Sequence, residues 1–366
     1  VDHFSGMSLS NSLVPNDVLG NAYEYLIKKF ADLTNKKAGE FYTPRSVVSL
    51  MVNILDPKPG ETVYDPACGT GGLLLETLQH VRENGGDDRL MLGRLFGQEK
   101  NLTTAAIARM NLFLHGAEDF SIVRGDTLRQ PAFVSGDRLA TFDCVIANPP
   151  FSLKAWGEDA WASDPWGRNI AGTPPKGYGD WAWVQHMITS MKPETGRVGV
   201  VMPHGVLFRG GAEGHIREYL IKDKNYLDAV IGLPANIFYG TSIPTCILVL
   251  KKKREHKDSV LFIDASQHFE KVKTQNVLRA EDIQKIISTY EERSNKDKYS
   301  HVATLAEIAE NDYNLNIPRY VDTFEEEAAV DLAAVSKELK SIEKEIKKTD
   351  ATIEGFCKEL GIDVPF

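Results

Sequence analysis

The residues best suited to chemistry are Asn148-Pro149-Pro150-Phe151, which follow the apolar run 142–147. That run is typical of a buried strand because it is short and mostly apolar. The prolines fix φ and remove two N–H donors, so the backbone beyond the strand is stiff. The Asn148 side-chain carbonyl and the Pro149 backbone carbonyl could accept the two hydrogens of an exocyclic amine, with Phe151 stacked on the base. These groups suit methyl transfer to that amine, a poor nucleophile that needs positioning rather than a strong base.

The same four residues allow a second interpretation. An isolated Pro-Pro pair is typical of a rigid turn, and Phe151 would then be exposed to solvent. Methyl transfer also requires a cofactor site nearby, and in open α/β sheets ligands bind at the carboxyl ends of the strands. It requires base flipping as well, because an amine inside a duplex cannot reach such a pocket.

A glycine-rich turn lies between the first predicted strand and its helix. Residues 65–72 read Asp-Pro-Ala-Cys-Gly-Thr-Gly-Gly, and Leu73 begins an apolar helical segment. Glycine permits positive φ and a helix N-terminus offers free N–H groups, so the turn predicts a nucleoside-type cofactor. The spacing does not match the dinucleotide pattern GxGxxG, and a turn of this kind can be purely structural.

Three strands of the predicted β–α alternation end in a carboxylate. Asp65 ends the first strand, Glu99 follows the second and Asp126 follows the third. With Asn148 they place four hydrogen-bond acceptors along one predicted sheet edge. Each alone could be a surface residue, but four in register with the strands predict a binding site. Glu99 is well placed for ribose hydroxyls, and the carboxylates suit a cationic sulfonium donor.

The composition is that of a globular protein, and its net charge is acidic, unlike that of most proteins that bind DNA without a partner. The chain has 366 residues, 42% of them hydrophobic and 25% charged, and a net charge of −9. A protein that binds DNA alone usually carries a basic face, so the basic residues must be concentrated locally or supplied by a partner. Four widely separated cysteines indicate neither zinc nor disulfides and favour a reducing cytoplasm. No apolar run approaches the ~20 residues that span a bilayer.

The strand pattern predicts a seven-stranded, Rossmann-like α/β sheet with an antiparallel last strand. The connection 234–244 is too short for a crossover helix, so strands six and seven should form a hairpin. Thr43 should cap the helix that follows the segment 39–45, with Pro44 at its first position. A short strand at 260–263 and small helices follow the sheet.

Two segments leave alternatives open. The loop 153–178 is too long for a plain connection, so it is either a functional lid or mobile. Its Trp156, Trp161 and Trp166 could be packing anchors or surfaces that meet a nucleic acid base. The basic run 251–254 could be a solvated turn beside an edge strand or a contact to phosphate.

The C-terminal segment changes character after residue 328. Apolar residues there alternate spacings of four and three, with Lys and Glu between them. This 3.5-residue period predicts an amphipathic helix that packs on a partner helix, although it could instead pack on its own domain. The positions in this series are Leu332, Val335, Leu339, Ile342, Ile346, Thr349, Ile353, Phe356 and Leu360.

Together the motifs resemble the methylation (modification) subunit of type I restriction–modification systems, an S-adenosylmethionine-dependent N6-adenine DNA methyltransferase. The resemblance covers nearly all of the chain from about residue 16. It rests on segments 39–45 (Gly-Glu-Phe-Tyr-Thr-Pro-Arg), 65–72, Glu99, 125–128 (Gly-Asp-Thr-Leu) and 148–151, in that order. It implies a class I methyltransferase sheet with a C-terminal α-helical extension.

The resemblance also implies roles for individual residues. Glu99 would bind the ribose of S-adenosylmethionine and Asp126 its adenine. Residues 148–151 would hold the target base, and Asn148 in place of Ser favours adenine over cytosine. No metal is implied. The expected cofactor-binding residues are Glu40, Phe41, Tyr42, Thr43, Pro44, Arg45, Asp65, Ala67, Gly69, Thr70, Gly71, Gly72, Glu99, Asp126 and Asn148; the expected catalytic residues are Asn148, Pro149, Pro150 and Phe151.

The same resemblance implies a domain organisation. We expect a flexible arm at 1–15, the methyltransferase domain at 16–255, an α/β extension at 256–325 and a coiled-coil-like docking helix at 326–366. The family usually carries a helical N-terminal domain ahead of the methyltransferase domain, so the sequence is expected to be a piece of a longer product.

The implied partners are double-stranded DNA and a separate specificity subunit. The family has no target-recognition domain of its own, and residues 251–366 look too helical and too short to hold one. Two methylation subunits per specificity subunit are expected, and a restriction (translocase) subunit could join them. The expected location is the cytoplasm, with no membrane association.

Three other functions stay open at this level. A methyltransferase of protein glutamine or RNA could use the same Asn-Pro-Pro-aromatic loop, although the segment 39–45 and the terminal heptads argue against it. A cofactor-binding scaffold without catalysis would carry the same glycine turn. A nicotinamide dehydrogenase is poorly supported by the glycine spacing.

Overall fold

The computed structural model describes residues 16–34, 42–238, 240–273, 275–323 and 331–366. The chain divides into two compact units, Val1–Asp322 and Thr323–Phe366. The predicted arm at 1–15 and the predicted site residues Glu40 and Phe41 lie outside the described residues.

The first unit is built on a large central sheet. The strands of this unit are β1 (Val63–Asp65), β2 (Leu95–Glu99), β3 (Ser121–Arg124), β4 (Val134–Ser135), β5 (Arg138–Leu139), β6 (Cys144–Ala147), β7 (Arg197–Pro203), β8 (Leu227–Gly232), β9 (Thr245–Lys251), β10 (Ser259–Asp264), β11 (Glu270–Val272), β12 (Gln275–Val277) and β13 (Ser300–Thr304). Within the described residues, nine of them form one sheet in the order β13-β10-β8-β9-β7-β6-β1-β2-β3. The pairs β4–β5 and β11–β12 form separate antiparallel ribbons.

The sheet is mostly parallel. Strands β3, β2, β1, β6 and β7 run parallel to one another. Strand β9 runs antiparallel to both β7 and β8, so the predicted hairpin of strands six and seven is confirmed. The sheet is larger than the seven strands predicted, because β10 pairs in parallel with β8 and β13 then pairs with β10. The extension 256–325 therefore contributes two strands to the main sheet.

Helices cover both faces of the sheet. They are α1 (Asn16–Thr34), α2 (Arg45–Leu55), α3 (Gly72–Glu83), α4 (Leu102–Leu114), α5 (Glu158–Trp161), α6 (Asp180–Thr189), α7 (Gly205–Phe208), α8 (Ala212–Glu218), α9 (Ala280–Glu292) and α10 (Leu305–Glu310). Helices α2, α3, α4 and α9 pack on one face, whereas α6, α8 and α10 pack on the other. Successive strand residues point to opposite faces, so Val63 belongs to one core and Tyr64 to the other.

The second unit contains one long helix, α11 (Leu332–Leu360). Asp331 caps its N-terminus by accepting from the Ala333 and Ala334 N–H groups, and Gly361 ends it in a left-handed conformation. The heptad series lies on this helix. Among the helices of the described residues, none combines the length and the apolar character that a membrane crossing requires.

Candidate functional site

The candidate site lies beyond the carboxyl ends of β1 and β6, which are neighbours in the sheet. Strand β1 also pairs with β2, so the chain order reverses at this point. Such a reversal leaves the crevice in which open α/β sheets bind ligands. Asp65 ends β1, and Asn148 follows the last residue of β6. Both side chains line one pocket at this edge.

The glycine turn shapes the floor of this pocket. Gly69 (φ 51°) and Gly71 (φ 81°) adopt left-handed backbone conformations, which residues with a Cβ rarely adopt. The Gly71 N–H donates to the Cys68 carbonyl at 2.7 Å, which closes the turn. Helix α3 starts at the next residue, so its unpaired N–H groups lie beside the turn.

Glu99 supports the turn from the neighbouring strand. One carboxylate oxygen accepts from the Gly69 N–H at 3.1 Å, and the other accepts from the Asn101 N–H at 2.7 Å. Burial raises the pKa of Glu99. Glu99 is not among the residues that line the pocket. Glu99 thus fixes the glycine turn to the start of α4.

Asp126 lies farther along the same edge, also outside the pocket lining. Its carboxylate pairs with the Lys100 ammonium at 2.8 Å. The roles of Glu99 and Asp126 toward the ribose and adenine of a cofactor stay predictions.

Asp65 is a buried carboxyl at the end of β1. Its side chain is 1% exposed, and Oδ1 accepts from the Ala67 N–H at 3.0 Å. Burial raises the pKa of Asp65 to about 8, and the nearby Glu99 charge adds to this rise. A cationic ligand in the pocket would favour the ionised form of Asp65. The position therefore suits a positively charged group.

Asn148 is held by a residue 105 positions away in the sequence. Its Nδ2 donates to the Thr43 hydroxyl at 3.0 Å. The predicted helix cap at Thr43 is wrong, because α2 begins at Arg45, the cap position is Pro44, and no side chain caps it. The Asn148 Oδ1 is buried and has no hydrogen-bond partner among the described residues. A buried carbonyl of this kind is costly unless a donor arrives.

Phe151 lies at the end of the same loop. Its ring is half-buried and meets the Phe238 ring edge to face, with centroids 5.9 Å apart. Phe151 is therefore not the fully solvent-exposed residue that the alternative interpretation of this loop expected.

The pocket brings most of the predicted cofactor residues together. Those that line it are Tyr42, Thr43, Arg45, Asp65, Ala67, Gly69, Thr70, Gly72 and Asn148. Those that do not are Pro44, Gly71, Glu99 and Asp126, together with the loop residues Pro149, Pro150 and Phe151.

Sequence reasoning missed Asn111 on α4, which also lines the pocket. Its side chain is 1% exposed, and its Nδ2 donates to the Thr70 carbonyl at 3.1 Å. A carbonyl can only accept, so this bond fixes the amide orientation and leaves Oδ1 for another donor. That Oδ1 has no partner within the described part of the chain. The available signal was a carboxamide on the buried side of an apolar helix.

Two acidic residues of the pocket lining were missed as well. Glu24 on α1 pairs with Arg45, and Glu76 lies on α3. Burial raises the pKa of Glu76.

The loop 153–178 is packed against the sheet edge. Trp156 and Trp161 are buried, so they are packing anchors. The Arg168 guanidinium donates to the Thr127 and Leu128 carbonyls at 2.9 and 2.8 Å. These contacts tie the loop to the segment that follows β3.

The basic run 251–254 is engaged within the protein. Lys251 and Arg254 both approach the Asp228 carboxylate, and the Arg254 side chain is 1% exposed. Lys252 lies over the Tyr226 ring at 4.7 Å. The run is therefore neither a fully solvated turn nor a free cluster for phosphate.

Comparison with known proteins gives the family. A model of the N-6 DNA methylase family matches residues 14–329. The chain belongs to the N-6 DNA methylase family. The large, mostly parallel sheet with helices on both faces is the fold expected for it.

Individual relatives in the N-6 DNA methylase family agree with this. The type I restriction enzyme MjaVII methylase subunit of Methanocaldococcus jannaschii is 39% identical over 95% of this chain and 60% of that protein. The HindI methylase subunit of Haemophilus influenzae is 35% identical over 94% of this chain and 77% of that protein. The chain spans 60% of the length of the MjaVII and MjaVIII subunits.

Solved structures show the same fold. The type I restriction–modification methyltransferase subunit of Streptococcus thermophilus has a TM-score of 0.76 and 44% identity, and the match covers 84% of this chain and 64% of that one. A class I S-adenosylmethionine-dependent methyltransferase of Listeria monocytogenes, with a TM-score of 0.57 and 16% identity over 77% of this chain and 80% of that one, shares the fold alone.

The pocket fits S-adenosylmethionine, the cofactor that the N-6 DNA methylase family implies. The buried Asp65 carboxyl suits its positive charge. The glycine turn keeps the backbone close to the pocket, and the Asn111 Oδ1 is a buried acceptor that lacks a donor within the described residues.

Proposed function

We propose that this chain is the methylation subunit of a type I restriction–modification complex. It transfers a methyl group from S-adenosylmethionine to N6 of an adenine that is flipped out of double-stranded DNA. The family membership and the similarity to type I methylase subunits support this proposal. The observation that carries it is the buried Asn148 Oδ1, which lacks a donor among the described residues and lies beside the cofactor pocket.

Bound S-adenosylmethionine would supply a methyl group made electrophilic by the sulfonium, with the carbon–sulfur electron pair staying on the sulfur of the S-adenosylhomocysteine that leaves and the surplus amine proton passing to solvent. The protein's task is to orient the adenine amine. The Asn148 Oδ1 accepts one amino hydrogen, and the Pro149 carbonyl accepts the other. Two acceptors let the nitrogen move out of conjugation with the ring, which exposes its lone pair. The Thr43 bond holds Asn148 in place, and Phe151 packs against the base.

The cofactor binds beside Asn148, in the part of the pocket lined by segment 42–45 and the glycine turn. Residues of segment 42–45 and the glycine turn line the cofactor, with Asp65 and Glu76 supplying negative charge. Glu99 and Asp126 take the ribose and adenine in this proposal. The protein needs no metal ion for this chemistry.

Sequence choice lies in a separate specificity subunit. The net charge of −9 fits a chain that reaches DNA as part of a larger complex. A structural relative at 25% identity and a TM-score of 0.66, over 93% of this chain and 71% of that one, is a component of a type I restriction–modification system. We propose a complex with two methylation subunits per specificity subunit, to which a restriction subunit can bind.

The test is Asn148→Ala in the reconstituted complex. Removing this acceptor should lower the rate of methyl transfer about 100-fold or more, the scale seen when one preorganised polar group is lost. Cofactor affinity, measured by calorimetry, should fall much less. The assay measures labelled methyl groups incorporated into DNA, RNA or protein.

Asn53→Ala is the matched control, because the Asn53 amide nitrogen also donates one hydrogen bond within the protein, to the Ser49 carbonyl at 2.8 Å, but Asn53 lies outside the pocket lining. Undiminished methyl transfer by the complex that contains Asn148→Ala would contradict the catalytic role of Asn148. The chain would then be a cofactor-binding scaffold without catalysis of its own. Label found in RNA or protein instead of DNA would favour the alternative methyltransferases.

A further inference from the structure

The loop 148–151 is followed by a residue in a strained backbone conformation, Ser152. Ser152 adopts φ 50°, in the left-handed region that non-glycine residues rarely enter. Residues held in such conformations persist only when the surroundings fix them, and they cluster at functional sites. The contacts of Ser152 therefore bear on how the loop is held.

A buried carboxylate holds Ser152. The Ser152 N–H donates to Asp180 Oδ1 at 2.7 Å. Asp180 is the first residue of α6 and is 1% exposed. Its negative charge lies at a helix N-terminus, where unpaired N–H groups favour an anion. The short bond to a charged acceptor is of the stronger kind.

Arg209 in turn fixes the Asp180 carboxylate. An Arg209 guanidinium nitrogen donates to Asp180 Oδ2 at 2.6 Å and also to Glu213 at 2.9 Å. The guanidinium lies over the Tyr178 ring, 4.4 Å from its centroid. Both carboxylates are almost fully buried, with side-chain exposures of 1% for Asp180 and 2% for Glu213. The carboxylate therefore cannot rotate away from Ser152 without breaking a buried ion pair.

The two ends of the loop are thus held by different parts of the chain. Thr43 binds Asn148 at the first end, and Asp180 binds Ser152 at the other. The segment between them contains two prolines, so fixing its ends fixes its carbonyls and the Phe151 ring.

We propose that Asp180, anchored by Arg209, is a positioning residue that holds the loop in the geometry required for methyl transfer, an inference that rests on the proposed function. Asp180 touches neither the substrate nor the cofactor in this scheme. It acts through the Ser152 N–H and so keeps the two acceptors of the loop aligned. Loss of the bond should misplace them by a fraction of an ångström to an ångström, which slows the reaction while binding persists.

The experiment compares Asp180→Ala and Asp180→Asn in the complex with DNA. Asp180→Ala should lower kcat about 100-fold, the scale of an ångström misplacement, with KM for DNA and cofactor affinity nearly unchanged. Asp180→Asn keeps an acceptor for Ser152 but loses the ion pair with Arg209, so its kcat should lie between those of Asp180→Ala and wild type. If Asp180→Ala does not fold, Asp180→Asn decides: wild-type kcat in that variant overturns the inference.

Asp282→Asn is the matched control. Asp282 is also a buried carboxylate paired with an arginine, Arg279 at 2.8 Å, but it lies on α9 outside the pocket lining. It should lose thermal stability without losing kcat. A loss of stability or cofactor affinity in Asp180→Ala with intact kcat would make Asp180 a merely structural residue.

Hydrogen exchange separates this inference from the proposed function. Exchange at the Ser152 amide should accelerate in Asp180→Ala and stay slow in Asp282→Asn. Unchanged exchange in Asp180→Ala overturns the inference. Slow exchange in a wild-type complex that methylates no adenine overturns the proposed function instead.

Discussion

Buried polar groups distinguish the candidate site at the scale of single residues. Asp65, Asn111 and Asn148 each place an oxygen atom where burial is costly without a partner. Asn148 and Asn111 use their amide nitrogens within the protein, on Thr43 and on Thr70. Their oxygens then remain for donors from bound molecules. The unpaired side-chain oxygens of both asparagines lower the folding stability, but they can accept hydrogen bonds from a bound molecule.

The pKa of Asp65 predicts how cofactor affinity depends on pH. Burial raises this pKa to about 8 in the folded protein. A bound cation favours the ionised carboxylate, so binding below pH 8 must release a proton. Affinity for S-adenosylmethionine should therefore rise about 20-fold between pH 6.0 and 7.5, as the fraction of ionised Asp65 increases. Calorimetry in two buffers of different ionisation enthalpy would measure both the affinity and the proton released.

Asp65→Asn should remove most of this pH dependence, and an unchanged slope in that variant would assign the proton to another group.

The raised pKa of Asp65 also affects the stability of the protein. The folded state holds the Asp65 proton more tightly than the unfolded state, whose pKa is the ordinary 3.8. The contribution of Asp65 to the free energy of unfolding is full below that pKa and is lost as the pH rises through about 8.

At the scale of elements, the glycine turn connects four parts of the fold. It follows β1 and precedes α3, its Gly69 N–H donates to Glu99 at the end of β2, and its Thr70 carbonyl accepts from Asn111 on α4. The turn is thus held from neighbouring elements on more than one side. This explains why a glycine pattern unlike GxGxxG can still form a rigid cofactor site.

Gly71→Ala tests the turn. The left-handed φ of 81° opposes a Cβ, whereas Ala108 at 3.4 Å leaves ordinary contact distance. The variant should lose about 1–2 kcal/mol of stability from backbone strain. Cofactor affinity should fall too, because relief of the strain would move the turn. Chemical denaturation and calorimetry measure the two effects.

Gly85 provides the control, because it has φ 72° and open space around its Cβ position, and it lies outside the pocket lining. Gly85→Ala should lose similar stability and keep its cofactor affinity. Equal affinity losses in the two variants would show that the Gly71 effect is not local.

The molecule consists of two compact units, and the second one carries α11. The described residues of the candidate site all lie in the first unit. The heptad series on α11 repeats every 3.5 residues, the period of helices that pack on other helices. We propose that this helix docks on the specificity subunit.

Charges placed on the heptad series should prevent that docking. Ile342→Glu with Ile346→Glu should weaken the complex with the specificity subunit at least about 10-fold, because buried apolar anchors dominate such interfaces. Cofactor binding by the isolated subunit should not change. Sedimentation of the mixed subunits measures assembly, and Lys344→Gln, which lies off the series, is the control. Intact assembly in the double variant would place the interface elsewhere.

The sequence by itself determined the elements and the motifs. The apolar run before Asn148, the glycine turn after Asp65 and the reversal of the seventh predicted strand could be predicted, because strand periodicity, glycine conformation and loop length are local properties. Local pattern also placed Asp65 and Asn148 at one sheet edge, and the pocket contains both.

Only the tertiary structure decided which residues meet. In the structure, Thr43 accepts a hydrogen bond from Asn148 instead of capping a helix, and Asp180 accepts one from Ser152. Asn111 lines the pocket and donates to Thr70. The structure also adds β10 and β13 to the sheet. These contacts join residues far apart in the chain, so they depend on how whole elements pack. Short-range pattern carries no record of that packing, because the same side chain can cap a helix or bind a distant partner with similar energy.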